Sequence, residues 1–497
     1  ELVPLKRDLV RAPKGNSYWD ITLSPGKVWS EPGDGGFSRA LIPFQLSNIL
    51  ENDTHHGLGT FLFDDKKVTG VRFQIAIQTK TFVVPGEFDA WGSSPVDSVE
   101  PLRQSEKASA VDAFRRERND HLVLRDFGEL SDRVPAALLD AMHVGVGSRT
   151  AIVNGLVVDD VIYATDCHTR AGAYPFPRAM KFGVWSATKT AFATIAWLRL
   201  SQATGKDCRE AFLCDLIPEA RGLQRWSDVT IGDCLNMATG MGTAAPNAQP
   251  CNVFADYLLE EAQAKDSDLA RRSFDLYFDW FLALSQTEKN VNALSCDAYP
   301  WRPGEVVRYR DQDLYLAGAA MDAWLKHERG TSARLWDTVV NEVYTPACIY
   351  HPVMLHTVEA DFSQSVPLTD AGLLFSMDNV ARLGRLLHDR GRAGTQQLLH
   401  PWFVDEVFDP RRQKGLPTGI YTTDGEVSYH AATWHLPYVA RSGERFWLPS
   451  MRGYGGQLIQ LLPNGMTAFR FAYDSPDTDE PYDGLTLARI ADAIDGF

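Results

Sequence analysis

The sequence predicts an α+β fold: an antiparallel sheet flanked by helices, an all-helical subdomain, and an additional N-terminal β-rich region. Three observations carry this reading. Residues 1 to about 85 hold short apolar runs separated by Gly, Pro and Asp turn signals. Residues of about 205–345 read as mostly helical. After about 415 the pattern returns to strands and closes on the amphipathic stretch Thr486-Leu-Ala-Arg-Ile-Ala-Asp-Ala-Ile-Asp495. Strands, a helical middle, strands and a terminal helix imply that the two ends of the region beyond the N-terminal part share one sheet.

In the N-terminal part, Arg39-Ala-Leu-Ile-Pro-Phe-Gln45 and Val68-Thr-Gly-Val-Arg-Phe-Gln-Ile-Ala-Ile77 read as strands. From Gly86 to about Ala110 the composition shifts to Gly, Ser, Pro and acid, which predicts a linker. The chain then divides into a β-rich domain over 1–105, ending in that linker, and a second domain over 106–497. Arg149-Thr-Ala-Ile-Val-Asn-Gly-Leu-Val-Val158 and Asp160-Val-Ile-Tyr-Ala164 look like paired strands, with Asn154-Gly155 as the hairpin signal. Ser186 opens a helical stretch to about Gln202, and Ser273-Phe-Asp-Leu-Tyr-Phe-Asp-Trp-Phe-Leu282 is an aromatic helix.

The chain has 497 residues, 44% of them hydrophobic, enough to bury a large core. Its 49 Lys and Arg face 64 Asp and Glu, a formal net charge of −15. Such a chain repels phosphate backbones and anionic lipid heads, so neither nucleic acid nor a membrane surface is an expected partner. No apolar run is long enough to cross a bilayer. The seven cysteines (167, 208, 214, 234, 251, 296 and 348) lack CxxC spacing and do not indicate a disulfide framework. The sequence begins at Glu1 rather than Met, so either a leader was removed or the chain was trimmed; the compartment stays open, with export favoured over the cytoplasm. The oligomeric state is not legible.

The segment Phe182-Gly-Val-Trp-Ser-Ala-Thr-Lys-Thr190 carries the chemistry. A seryl hydroxyl needs a base beside it. With Ser186 at a helix start, Lys189 lies one turn on, near the same face. The helix N-terminus also offers N–H groups to an oxygen that becomes negative. A second copy of the spacing, Ser24-Pro-Gly-Lys27, holds a Pro-Gly turn and is read as chance.

Companion segments strengthen Ser186. Pro303-Gly-Glu-Val-Val-Arg-Tyr-Arg-Asp-Gln-Asp-Leu-Tyr-Leu-Ala-Gly318 resembles the stretch of penicillin-recognising serine hydrolases in which a Pro-Gly turn leads to Tyr-x-Asn and a helix. In that comparison Tyr309 falls on the tyrosine and Asp311 on the Asn position. Thr230-Ile-Gly-Asp-Cys-Leu-Asn-Met-Ala-Thr-Gly240 and Ala371-Gly-Leu-Leu-Phe-Ser-Met-Asp-Asn-Val-Ala-Arg-Leu-Gly-Arg385 are similar to the family's scaffold signatures. Arg452-Gly-Tyr-Gly-Gly-Gln-Leu-Ile-Gln-Leu-Leu462 resembles its Lys-Thr-Gly or His-Gly-Gly strand. The resemblance covers about residues 130–497 and is closest to serine beta-lactamase-like hydrolases of the class C, family VIII esterase and nylon-oligomer hydrolase type. It implies a beta-lactamase/transpeptidase-like fold, with Ser186, Lys189 and Tyr309 catalytic and an oxyanion hole of the Ser186 and Gln457 N–H groups. Gly455, Gly456, Tyr454, Asp311, Trp185 and Arg452 would line the substrate site, with neither metal nor other cofactor.

The chain departs from the pattern in two places. Tyr454 stands where lactamases and transpeptidases place a cation for the substrate carboxylate, which counts against efficient beta-lactam turnover; Arg452 or Arg310 would have to replace it. Asp311 in place of Asn would keep Lys189 charged and shift the base role toward Tyr309. Of the aromatic residues near the motifs, Trp185, Trp301, Tyr315, Trp434 and Trp447, one or two at the pocket mouth would suit an apolar or aromatic acyl group. The expected activity is hydrolysis of a small-molecule carboxylic ester or amide through an acyl-enzyme on Ser186. The alternatives are a D-amino-acid peptidase or beta-lactamase in cell-wall chemistry, and a non-catalytic binding or sensor module using the N-terminal region as its partner surface.

Overall fold

The computed structural model describes all residues except 12–16, 83–87, 97–102, 144–150, 244–249, 251, 257–267 and 474–483, so Cys251 lies outside the described residues. Two sheets dominate it. The larger has nine strands in the order Leu416–Thr422, Gly425–His430, Thr433–Val439, Arg445–Gly453, Gln457–Leu461, Thr467–Ala472, Ala151–Val158, Val161–Ala164 and Val123–Asp126. Every pairing is antiparallel except the last. Thr467 opposite Val157 and Phe471 opposite Val153 join the two ends of the region beyond the N-terminal part, as the strand–helix–strand pattern predicts. Met377–His388 and Thr486–Ile494 pack on this sheet. Between its two halves lie the helices Ile231–Leu235, Asp268–Leu282, Gln286–Ala293 and Asp311–Arg329.

The strands ending at Val158 and Ala164 pair as expected, but the turn between them is not at Asn154-Gly155. Ala151–Val158 is one strand, and the chain reverses at Asp159 and Asp160, both left-handed at φ 50° and 63°. Gly155 is needed for packing instead, because a Cβ there would stand 2.1 Å from the Phe469 ring.

The N-terminal sheet is antiparallel, in the order Trp19–Leu23, Ser38–Asn48, Thr54–Phe63, Val71–Gln78 and Trp91–Ser94, with Lys27–Trp29 also on the second strand. The expected linker therefore contains an edge strand at Trp91–Ser94 and the start of a helix, Gln104–Asp120. Its small and polar composition fits an exposed edge as well as it fits a tether. That helix turns back to the chain start through Arg7 and Glu117, 2.6 Å apart.

This sheet packs on residues 170–185. Ser24 Oγ donates to the Ala179 carbonyl at 2.9 Å, so the second Ser-x-x-Lys copy is indeed no helix. Tyr174 Oη donates to the Gly57 carbonyl at 3.1 Å, and the Lys181 N–H donates to Gln45 Oε1 at 3.1 Å. The connection between Asn48 and Thr54 reaches furthest. Asn48 Oδ1 accepts the Leu50 N–H at 2.8 Å and also that of Glu51, a local side-chain turn. Residues 51–53 are thereby pressed against the segment leading to Ser186, where a Cβ on Gly183 would lie 1.5 Å from the Asn52 carbonyl oxygen.

Candidate active site

Phe182–Gly183 pairs with Leu374 and Phe375, and the chain then turns directly into a helix. The turn is closed by Ala187 N–H to Val184 O at 3.1 Å, Thr188 N–H to Trp185 O at 2.8 Å and Lys189 N–H to Ser186 O at 3.1 Å. Lys189–Thr194 is a π-helical turn before the α-helix Ile195–Thr204, the kind of widening that recurs at functional sites. Thr190 and Thr194 anchor it by donating to the carbonyls of Ala432 and Ala431 at 2.6 and 2.7 Å.

Trp185, immediately before the serine, is left-handed at φ 49°. For a bulky residue this costs about 1–3 kcal/mol and persists only where the surroundings enforce it. They do so here: its N–H donates to Asn52 Oδ1 at 2.6 Å, and its ring lies against Tyr454 and Phe82, with centroids 5.4 and 6.1 Å away.

Ser186 keeps partial exposure while Lys189 is 1% exposed. Three oxygens crowd Lys189 Nζ: Ser186 Oγ at 2.7 Å, the Asp370 carbonyl at 2.8 Å and Asp311 Oδ1 at 2.7 Å. Burial pushes its pKa down, but Asp311 first, then Tyr309 and Asp370, outweigh burial and hold it above the ordinary lysine value. The ion pair with Asp311 therefore favours the ammonium form of Lys189.

Asp311 is the first residue of the helix Asp311–Arg329, a position the helix dipole favours for a carboxylate. Its second oxygen accepts from Tyr277 Oη at 2.8 Å. Tyr309, two residues earlier, is fixed by its N–H to the Val253 carbonyl at 2.7 Å and by stacking on Trp434 at 5.4 Å and 21°. Its ring centroid lies 5.0 Å from Lys189 Nζ, beside the Ser186–Lys189 pair. Burial raises the Tyr309 pKa, Lys189 opposes that and Asp311 reinforces it, with a net shift upward. The resting site thus holds a phenol and an ammonium beside the seryl hydroxyl.

The third motif is a hairpin rather than one strand. Arg445–Gly453 ends in the tight turn Tyr454–Gly456 and returns as Gln457–Leu461, because Gly455 and Gly456 are left-handed at φ 73° and 87°. Gly453 lies flush on the segment before Ser186, where a Cβ would stand 2.2 Å from the Val184 carbonyl oxygen. Gln457 sits opposite Gly453, its side chain bonded to both the N–H and the carbonyl of Ala472. Tyr454 packs on Trp185 and Phe82, with Lys80 Nζ 5.3 Å from its ring. Arg452 is partly exposed on the ladder opposite Leu458.

Arg310 does not face the site. It is buried on Asp313 at 2.9 Å and on Cys296 Sγ at 3.2 Å, so it is no substitute for the missing cation. Of the five aromatic residues singled out, Trp185 and Trp434 border the reacting groups. Trp301 stacks on Tyr299, Tyr315 is core, and Trp447 lies opposite Pro437 in the sheet.

Sequence reasoning missed Asn52, Phe82, Tyr277 and Asp370. Asp370 touches Lys189 through its backbone carbonyl, a contact that leaves no side-chain signal, while its carboxylate adds to the charge around the ammonium. Tyr277 was visible only as one ring of an aromatic helix. Among the described residues no three His, Cys, Asp or Glu stand as a metal-holding group, and no helix is long and apolar enough to cross a membrane.

No protein-family model matches the chain, and no curated protein matches it. Among solved structures it is similar to EstCE1, a hydrolase with promiscuous acyltransferase activity, at 15% identity over 74% of this chain and 99% of that one, with a TM-score of 0.48. It is similar to a putative 6-aminohexanoate-dimer hydrolase from Bacillus anthracis at 15% identity, over 72% and 80% of the two chains, with a TM-score of 0.47. A family VIII carboxylesterase matches at 14% identity, over 75% and 98%, with a TM-score of 0.45.

Proposed function

We propose that the protein hydrolyses a carboxylic ester or amide of a small molecule through an acyl-enzyme on Ser186. The observation that carries this is the buried contact of Lys189 Nζ with Ser186 Oγ at 2.7 Å, with the Tyr309 ring centroid 5.0 Å from the same ammonium. A binding module has no need to bring these three groups together from positions as far apart in sequence as 186 and 309.

Lys189 is the electrostatic partner, because Asp311 keeps it charged. Tyr309 is the base. Once its phenol has lost a proton, the phenolate accepts the Ser186 proton as Oγ attacks the carbonyl, and it returns that proton to the leaving group as the tetrahedral intermediate collapses. Water then enters by the same route, giving its proton to Tyr309, which passes it to Ser186 Oγ as the acid is released. The oxyanion is held by the Ser186 N–H with a donor from the 453–457 hairpin, and each such hydrogen bond supplies ~3 kcal/mol in the transition state. Esters, with the better leaving group, are the first expected substrates and amides the second.

The test is covalent. A fluorophosphonate probe should label the wild type and not Ser186→Ala, and p-nitrophenyl butyrate turnover should vanish with the label. Equal labelling of both proteins would overturn the assignment of the nucleophile.

A further inference from the structure

The N-terminal sheet, which lies outside the motif resemblance, reaches the nucleophile through one short connection. Asn52 is 1% exposed, and its Oδ1 accepts the Trp185 N–H at 2.6 Å. Trp185 is the left-handed residue immediately before Ser186, and that N–H belongs to the Val184–Trp185 peptide plane, relative to which its φ of 49° directs the chain on to Ser186. The contact is seated closely, since the Asn52 carbonyl leaves no room for a Cβ on Gly183. A second prong runs beside it: Glu51 accepts the Phe82 N–H at 2.8 Å, and the Phe82 ring meets Trp185, Tyr277 and Tyr454 at 6.1, 5.9 and 5.2 Å. Tyr277 is the donor to Asp311, so the same prong also borders the group that keeps Lys189 charged.

We infer that Asn52 is a positioning residue for the nucleophile: its side-chain carbonyl holds Trp185 in the conformation that sets Ser186 Oγ between Lys189 and Tyr309. It touches no reacting atom and acts through Trp185. The N-terminal region is then a working part of the hydrolase rather than a surface for another partner. This rests on the acyl-enzyme reading of Ser186.

The experiment measures fluorophosphonate labelling of Ser186, with kcat and KM on p-nitrophenyl butyrate, in the full chain. The variants are Asn52→Ala and Asn52→Asp, plus Asn52→Ala placed in a Trp185→Gly background. Asn52→Ala should label about ten- to a hundredfold more slowly, with KM nearly unchanged, because the loss is one of aim. Asn52→Asp keeps an acceptor at the same reach and should recover most of the rate. In the Trp185→Gly background the Asn52→Ala loss should shrink severalfold, because glycine takes φ 49° unaided. An unchanged labelling rate in folded Asn52→Ala, or the same fold-loss in both backgrounds, overturns the inference. Should Asn52→Ala not fold, Asn52→Ser, whose hydroxyl falls short of the N–H, is judged by the same two criteria. A wild type that does not label at all overturns the acyl-enzyme reading instead, which keeps the two failures apart.

Discussion

In the catalytic region Lys189 lies against Asp311, and Arg310 against Asp313, each charge buried and each matched within 2.9 Å. In the N-terminal region Asp20 and Asp53 are as deeply buried, at 2% and 0% exposure, but Asp20 has only a 3.3 Å ion pair with Arg11, and Asp53 has the Asn48 amide and His55 at 3.6 Å. Around them Thr22 Oγ1, Ser47 Oγ and Gln45 Nε2 have no hydrogen-bond partner among the described residues. The difference shows where each region obtains its order. The catalytic charges are fixed by their own neighbours, as a site that must hold an ammonium and a phenol in register requires. The polar face of the N-terminal sheet is an interface, ordered by what it is pressed against, and Asn52 stands at its tip.

Removing the Tyr309 hydroxyl should expose the catalytic half most strongly. Tyr309→Phe keeps the ring on Trp434, so the protein should fold, while kcat on p-nitrophenyl butyrate should fall about 10²–10⁴-fold. The wild-type rate should climb with pH, because both Tyr309 and Lys189 are held above their ordinary values and the base form appears only as a proton leaves. A variant with the wild-type pH–rate profile would move the base role to another group.

Asp311→Asn should shift that profile. The carboxylate raises both Lys189 and Tyr309, so its loss lowers both, and the alkaline climb should begin at lower pH. A profile that stays in place would mean that Asp311 does not set the charge of the site.

On the other side of the comparison, burial, reinforced by Glu51, pushes Asp53 up to about 8. An acid raised in the folded state binds its proton there after the unfolded chain has lost it, so stability should fall as pH climbs from about 4 to about 8 and then level off. One such proton gives a slope of up to about 1.4 kcal/mol per pH unit. Asp53→Asn keeps an oxygen for the Asn48 amide and removes the ionisation, so denaturant midpoints should lose that slope. An identical slope in the variant would assign it elsewhere, with Asp20, raised to about 6, the next group to test.

What the sequence made legible follows the same division. Ser186, Lys189 and Tyr309 stood out because nucleophile chemistry restricts residue type and spacing, and Asp311 beside Lys189 already pointed to an ammonium. The shared sheet was readable because apolar alternation returns after residue 415. The turn at Gly455–Gly456 was hidden by its apolar flanks, which read as one continuous strand until the two positive φ values bend it. Asn154-Gly155 misled because the glycine answers to a ring from a strand more than three hundred residues away. Arg310 lost its expected role to Asp313, an i,i+3 partner visible in the sequence but not weighed against the missing cation. Asn52 left no trace: a polar residue in a turn looks like any other, and its partner is a backbone N–H 133 positions on.

The mildest perturbation acts at the seam between the two regions. Gly183 pairs with Leu374 on one side and meets the Asn52 backbone on the other, so a methyl group at 183 has neither a soft side chain to displace nor open space to enter. Gly183→Ala should cost about 1–3 kcal/mol in stability, the usual range for overpacking. The strain must be relieved by moving residues 51–53 away, which lengthens the bond from Trp185 to Asn52. Labelling of Ser186 should therefore slow in the folded variant, while Gly35→Ala, at a left-handed position remote from the seam with open space around its Cβ, should lose stability alone. Normal labelling in a destabilised Gly183→Ala would show that the two regions share a boundary without sharing the aim of the nucleophile.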